Sequence, residues 1–186
     1  PLAERGWLTE KDLFLPYEAN SGFINFDRVR PFKKDILEKA FHAFRTQSAD
    51  DADYRTFCEK EAYWLKDYAL FHAAKKEHGG AAWMEWPEEI KHRAPDALNA
   101  LAERQRDAVE LDYFKQYVFH TQWNRLHAYA RTKGIEILGD MPIFIAQDSA
   151  DVWAHQQLFD LNEDGSPHTV AGVPPDYFAV NGQLWG

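Results

Sequence analysis

The residues with the most chemical potential lie toward the carboxyl end. Asp140 follows the short β-branched run Ile135-Glu136-Ile137-Leu138-Gly139 and leads through Met141-Pro142 into a loop. A carboxylate at the carboxyl end of a strand is where α/β sheets and barrels place their chemistry. A plain loop-capping role would use the same residue. Further on, Ala171-Gly172-Val173-Pro174-Pro175-Asp176-Tyr177-Phe178 sets two prolines ahead of an acid and two aromatic rings. Asn181-Gly182-Gln183-Leu184-Trp185-Gly186 adds amides and an indole. A pyranose offers apolar C–H faces and a rim of hydroxyls. Asp176, Tyr177, Phe178, Gln183 and Trp185 supply the matching aromatic faces and hydrogen-bonding groups. The alternative is an aromatic cluster that packs the loop onto its own domain.

Other constellations read as structure. Asp148-Ser149-Ala150-Asp151 has the form of a helix start, with Asp148 as N-cap and Asp151 as its N3 partner. Asp160-Leu161-Asn162-Glu163-Asp164-Gly165 imitates the first half of a calcium loop, but its twelfth position is Ala171 rather than a bidentate acid. A β-hairpin turn with Gly165 at positive φ explains the same residues. His72 and His78, or His120 and His127, are not spaced as helical zinc pairs. Phosphate loops of the GxGxxG or GxxxxGK kind do not occur. No cofactor and no metal are expected. Cys58, the one cysteine, falls on an apolar helical stripe and reads as core.

These residues need elements to hold them. Thr9-Glu10-Lys11-Asp12 is a capping-box start, broken by Pro16 and Asn20-Ser21-Gly22. Pro31 fits a first helical position, with Ile36, Leu37, Ala40, Phe41 and Phe44 following at helical spacing. Ser48-Ala49-Asp50-Asp51 closes that helix and opens the next. Residues 51–78 read as one or two helices stopped by Gly79-Gly80. Trp83 to Trp86 is a loop, Pro87-Glu88-Glu89 opens a short helix, and Pro95-Asp96 opens another. The longest helix is expected over 106–133. Val109, Tyr113, Tyr117, Phe119, His120, Trp123, Leu126, His127 and Ala130 would lie near its buried side, and Gly134 ends it. Residues 135–139 are the one expected core strand.

Composition narrows the class. Twenty-one Lys plus Arg against 30 Asp plus Glu leave a net charge of −9, a poor match to nucleic acid or an anionic membrane. The apolar runs fall short of the roughly 18 residues that span a bilayer, and no signal peptide is recognisable. A single cysteine fits a reducing, cytoplasmic compartment. Aromatic residues reach 15%; most of them must be core, and a surplus of Trp and Tyr also suits proteins that stack ligand rings. A start at Pro1 and a stop at Trp185-Gly186 suggest a piece of something longer.

Gly139-Asp140-Met141-Pro142-Ile143-Phe144-Ile145-Ala146-Gln147-Asp148-Ser149-Ala150-Asp151-Val152-Trp153 resembles a signature of the 4-alpha-glucanotransferases, also called amylomaltases or disproportionating enzymes. The stretches Ala171 to Phe178 and Gly182 to Gly186 resemble a second. Lys76-Glu77-His78-Gly79-Gly80, Trp83 to Pro87, and Gln122-Trp123 are similar too, so the resemblance covers essentially the whole chain. It implies an α/β fold: part of a (β/α)8 TIM barrel with a large helical insertion. Residues 1–30 would form a loop and short helix at the barrel edge. Residues 31–133 would be the insertion, and 134–186 the barrel strand and cleft loops.

The implied reaction moves a segment of an α-1,4-glucan to the 4-hydroxyl of an acceptor sugar through a covalent glycosyl-enzyme. Retention needs two carboxyl groups roughly 5 Å apart. By the resemblance, the nucleophile belongs to an Arg-x-Asp motif and a supporting Asp follows a His. Neither pairing occurs in this chain, so it would lack the catalytic carboxylates. Asp140 would shape the donor pocket. Asp176, Tyr177, Phe178, Gln183 and Trp185 would belong to a loop over the cleft, and maltooligosaccharides and α-1,4-glucans would be the partners. A glucan hydrolase and a non-catalytic sugar-binding or helical interaction module are the other classes the sequence allows. Oligomeric state is not encoded in any motif.

Overall fold

The computed structural model describes residues 2–15, 22–47 and 51–185. Pro16, Asn20-Ser21 and Ser48-Ala49-Asp50, expected as helix breakers, lie outside the described residues. Two compact units emerge, Pro1–Glu61 with Tyr113–Ile135 and Ala62–Asp112 with Glu136–Gly186.

The first unit opens on a 3-10 turn, Glu10–Leu13. The Asp12 carboxylate accepts from both the N–H and the hydroxyl of Thr9 at 2.7 Å. It also pairs with Lys39, and these contacts hold it down to a pKa of about 2. Helix α1 runs Phe26–Gln47 and α2 runs Ala52–Lys60. The start of α1 corrects the expectation for Pro31, which lies inside the helix. The side chain of Asn25 accepts the Arg28 N–H at 3.2 Å and caps the helix further upstream. Asp51 caps α2 by accepting from Tyr54 N–H at 3.0 Å. The core of this unit is aromatic. Phe114 is fully buried, with the rings of Trp7, Phe41 and Phe44 at 5.5, 5.6 and 5.0 Å from its own.

The second unit begins with α3, Ala62–Glu77, which stops at Gly79 and Gly80, both at positive φ. The backbone continues through a 3-10 turn at Trp83–Glu85, α4 at Glu88–Lys91 and α5 at Pro95–Arg104. Helix α6, Arg106–Thr132, starts in this unit and continues in the other, and Gly134 ends it at φ +69°. Helix α7 is short, Ala150–Ala154. Leu70, Phe71, Trp83, Trp86, Leu101 and Trp153 lead the core. Each of the three indoles has an acceptor. Trp83 Nε1 donates to the Gln147 carbonyl at 2.8 Å, Trp86 Nε1 to that of Ala81 at 3.1 Å, and Trp153 Nε1 to that of Ile90 at 3.0 Å. This matters because an unpaired indole N–H in such a core would carry its full desolvation penalty.

Two expectations are corrected. The structure is mostly helical, and its named strands are the two-residue β1, Gly172–Val173, and β2, Gln183–Leu184, paired antiparallel. Residues 135–139 form no strand. Leu138 is 97% exposed, and among the described residues no neighbour offers this segment a ladder. A β-branched run becomes a strand only where a second backbone pairs with it. The buried face of α6 matches the expected one only in part, at Tyr117 and Ala130. Phe114, Tyr117, Val118 and Ala130 are buried, whereas Phe119, Trp123 and Leu126 are exposed, with the Phe119 and Trp123 rings stacked at 6.4 Å. Among the described residues, no helix is long and apolar enough to cross a membrane.

Candidate functional site

The sequence candidates fall on two stretches of the second unit. On the first, Asp140 is exposed, and its carboxylate accepts the N–H of Met141 at 2.8 Å. Met141 to Ala146 then run on, largely exposed, to Gln147. On the second, β1 and β2 form a narrow hairpin with Gly172 opposite Leu184 and Val173 opposite Gln183. Two glycines make that hairpin possible. A Cβ on Gly172 would sit 2.6 Å from the Gln183 carbonyl, and one on Gly182, at φ +71°, would sit 2.5 Å from that of Val173.

The tip of the hairpin presents the aromatic pair. Asp176 folds back on its own loop, with Oδ1 accepting the N–H groups of Phe178 and Ala179 at 2.9 and 2.8 Å. This Asx turn fixes the backbone that carries the rings. Tyr177 and Phe178 lie 4.0 Å apart, and both are largely solvent-facing at 87% and 78% exposure. Asp176 is thus committed to its loop in this conformation, and the two rings are the groups left for contact.

Gln183 and Trp185 act as a pair, since Trp185 Nε1 donates to Gln183 Oε1 at 2.8 Å. The Trp185 N–H donates to the Ala171 carbonyl at 2.7 Å and closes the hairpin base. The Trp185 ring meets Phe144 edge to face at 5.6 Å, so the two stretches touch there. Phe144 is a contributor that the sequence reading missed. Its only signal was its place in the run Met141 to Ala146. Phe144 also lines a groove of about 300 Å³ with Ile145, Gln147, Phe159, Leu161 and Ala171. Among the described residues, no hydrogen bond or ring contact joins Asp140 itself to the hairpin.

Asp148 corrects the capping expectation. Ser149 is the N-cap of α7, accepting Val152 N–H at 3.3 Å. Asp148 instead pairs with Lys75 and accepts the Trp83 N–H at 3.3 Å. The hairpin expected around Gly165 is present, with Leu161 bridged to Pro167 and Gly165 at φ +86°. Asp164 serves that turn by accepting from the Ser166 N–H and hydroxyl at 2.9 and 2.6 Å, which lowers its pKa.

The exposed aromatic pair on the hairpin offers flat apolar faces on which a ring-shaped ligand can stack. All 186 residues match one family model, and the chain belongs to the 4-alpha-glucanotransferases of glycoside hydrolase family 77. It is 43% identical over its full length to the 4-alpha-glucanotransferase of Thermus thermophilus and 44% identical to that of Aquifex aeolicus. It covers 37% and 36% of those two proteins. An amylomaltase from Streptococcus agalactiae, solved in complex with acarbose, matches the whole chain with a TM-score of 0.91 at 33% identity. The chain covers 38% of that structure.

Proposed function

We propose that these residues form the segment of a glucan-disproportionating enzyme that holds and covers its sugar, within a (β/α)8 barrel bearing a helical insertion. The observation that carries this reading is the match of the entire chain to an amylomaltase in complex with acarbose. Residues 1–30 then stand at the barrel edge, 31–133 are the insertion, and 134–186 supply a barrel segment and the cleft loops. The extended run 135–139 pairs with barrel strands from outside this chain. Its present exposure is what such a partner would cover.

The enzyme takes maltooligosaccharides and α-1,4-glucans, cleaves one link, and passes the retained piece to the 4-hydroxyl of a second sugar. The retaining step calls for a carboxylate nucleophile and an acid/base carboxyl. Neither is assigned within these 186 residues, where Arg-x-Asp and His-Asp are absent. Asp140 faces the donor sugar. Tyr177 and Phe178 stack on sugar near the scissile bond, with Asp176, Gln183 and Trp185 holding the loop that presents them. A loop closing over the intermediate would exclude water and favour a sugar acceptor. The single cysteine suits a reducing, cytoplasmic setting.

The test compares the chain alone with an intact enzyme carrying it, each incubated with maltotriose. The intact enzyme is expected to yield glucose and a ladder of longer maltooligosaccharides. The pure chain is expected to yield neither, because no glycosyl-enzyme can form without a nucleophile. Glucose without longer products from the intact enzyme would identify a hydrolase, and transfer by the pure chain would overturn the assignment of the catalytic carboxylates.

A further inference from the structure

Lys75 and Asp148 join two parts of the second unit that are far apart in sequence. Lys75 lies in the last turns of α3, with its Nζ donating to the carbonyls of Gly80 and Ala81 at 3.2 and 3.1 Å as well as pairing with Asp148. Asp148 reaches the same loop from the other side, through the Trp83 N–H at 3.3 Å. Its neighbour Gln147 is anchored twice more. The Gln147 carbonyl accepts from Trp83 Nε1 at 2.8 Å, and its amide donates to the Gly165 carbonyl at 3.3 Å. The backbone of Gly165 in turn lies against the Trp83 ring.

Both stretches of the candidate site hang from this node. Upstream, Met141 to Ala146 are largely exposed, and among the described residues none of them donates to another backbone carbonyl, so Gln147-Asp148 is the first firm anchor after Asp140. Phe144 lies on that stretch and touches Trp185. Downstream, the anchored Gly165 turn leads to Ala171, whose carbonyl holds the Trp185 N–H. A shift at residues 147–148 therefore reaches Asp140 along the chain and Trp185 along two routes.

We infer that Lys75 and Asp148 are positioning residues for the transfer reaction, setting where Asp140 and the Trp185 end of the hairpin stand relative to one another. The inference rests on the proposed glucanotransferase role. The two side chains are 24% and 36% exposed and their pair is open to solvent, so its charge is screened and its direct contribution to stability is small. Their contribution lies in geometry, where a displacement of about 1 Å can cost on the order of 100-fold in rate.

The experiment uses an intact enzyme carrying this chain, with maltotriose as donor and acceptor. Transfer by the unaltered enzyme is measured first, and its absence would fail the functional reading rather than the positioning one. Asp148→Asn keeps an acceptor for Trp83 and removes the charge. Lys75→Gln removes the partner, and Lys75→Arg restores a cation. For Asp148→Asn and Lys75→Gln, kcat for transfer should fall at least about tenfold with less than a twofold change in KM, and the ratio of transfer to hydrolysis should fall with it. Combining the two should be no worse than either alone, and Lys75→Arg should recover most of the loss. Folded variants that keep kcat and product ratio within twofold would overturn the proposal. So would loss of the fold in both, which would make the pair a folding element only.

Discussion

Gly165 and Trp83 pack so closely that a Cβ at position 165 would lie 2.6 Å from the indole ring. The ring cannot yield, because Trp83 is fully buried and its N–H is held by the Gln147 carbonyl. Gly165 also sits at φ +86°, where an L side chain is strained. Gly165→Ala is therefore expected to destabilise the second unit by roughly 2–4 kcal/mol, overpacking and backbone strain acting together. Urea unfolding followed by far-UV circular dichroism measures it. A change below about 0.5 kcal/mol, the range of indifferent surface sites, would show that the contact relaxes without cost.

Tyr177→Ala and Phe178→Ala should each lower transfer more than hydrolysis in the intact enzyme. An acceptor sugar competes with water for the covalent intermediate. Losing one ring face removes on the order of 1 kcal/mol of that preference, about fivefold in the product ratio. Trp185→Ala should act the same way and also free Phe144 and Gln183. Product analysis on one maltooligosaccharide, with melting temperatures alongside, gives the ratio; an unchanged ratio in folded protein would remove the loop from acceptor selection.

Asp140→Asn should instead depress transfer and hydrolysis together, since the donor sugar is common to both. Its carboxylate accepts the adjacent Met141 N–H, a hydrogen bond that the amide oxygen can still accept. Stability should therefore hold. A drop in melting temperature with normal activity per folded molecule would reassign Asp140 to loop capping.

Glu77 makes acid stability readable. Hydrogen bonds from Arg104 at 2.9 Å and Gln105 at 2.8 Å lower its pKa below the ordinary 4.5. A depressed carboxylate stabilises the fold above its unfolded pKa, and the contribution drains away as pH falls through the folded one. Glu77→Gln should therefore lower the melting temperature at neutral pH, and the gap to the parent should narrow steadily below pH 4.5. A gap that stays constant into acid would show that the bonds to Arg104 and Gln105 do not depend on charge.

Amide exchange should rank the segments. The buried stretch of α6 around Phe114, Tyr117 and Val118 is expected to exchange slowly. Residues 136–146 should exchange fast, because among the described residues they have no ladder partners. Slow exchange at Ile137 and Leu138 would mean that this segment finds a strand partner in solution.

What the sequence made legible was local. Helix stops at Gly79-Gly80 and Gly134, the start at Pro95, the Thr9–Asp12 contact and the Gly165 turn are each decided within a few residues, and each is found. The misreadings share one cause, which is dependence on something distant. Residues 135–139 have strand composition, but a strand needs another backbone. Which face of α6 is buried depended on Trp7 and Phe44 approaching Phe114, which no period reveals. Asp148 has the type and position of a cap, yet Ser149 caps and Asp148 turns to Lys75, 73 residues back. At the candidate site the aromatic loop was legible by residue type, whereas the seat of Trp185 on Phe144 required coordinates.

The uneven burial of the indoles gives the molecule two optical signals. Trp7, Trp83, Trp86 and Trp153 are sealed from solvent, Trp64 is half-buried, and Trp123 and Trp185 are 42% and 50% exposed. Iodide should quench the exposed indoles and spare the sealed ones. The unquenched, blue-shifted emission then follows the integrity of the two cores. The quenchable, red-shifted part carries Trp185, so in a background with Trp64→Phe and Trp123→Phe its loss of quenching would register a sugar settling against the hairpin, with no label attached.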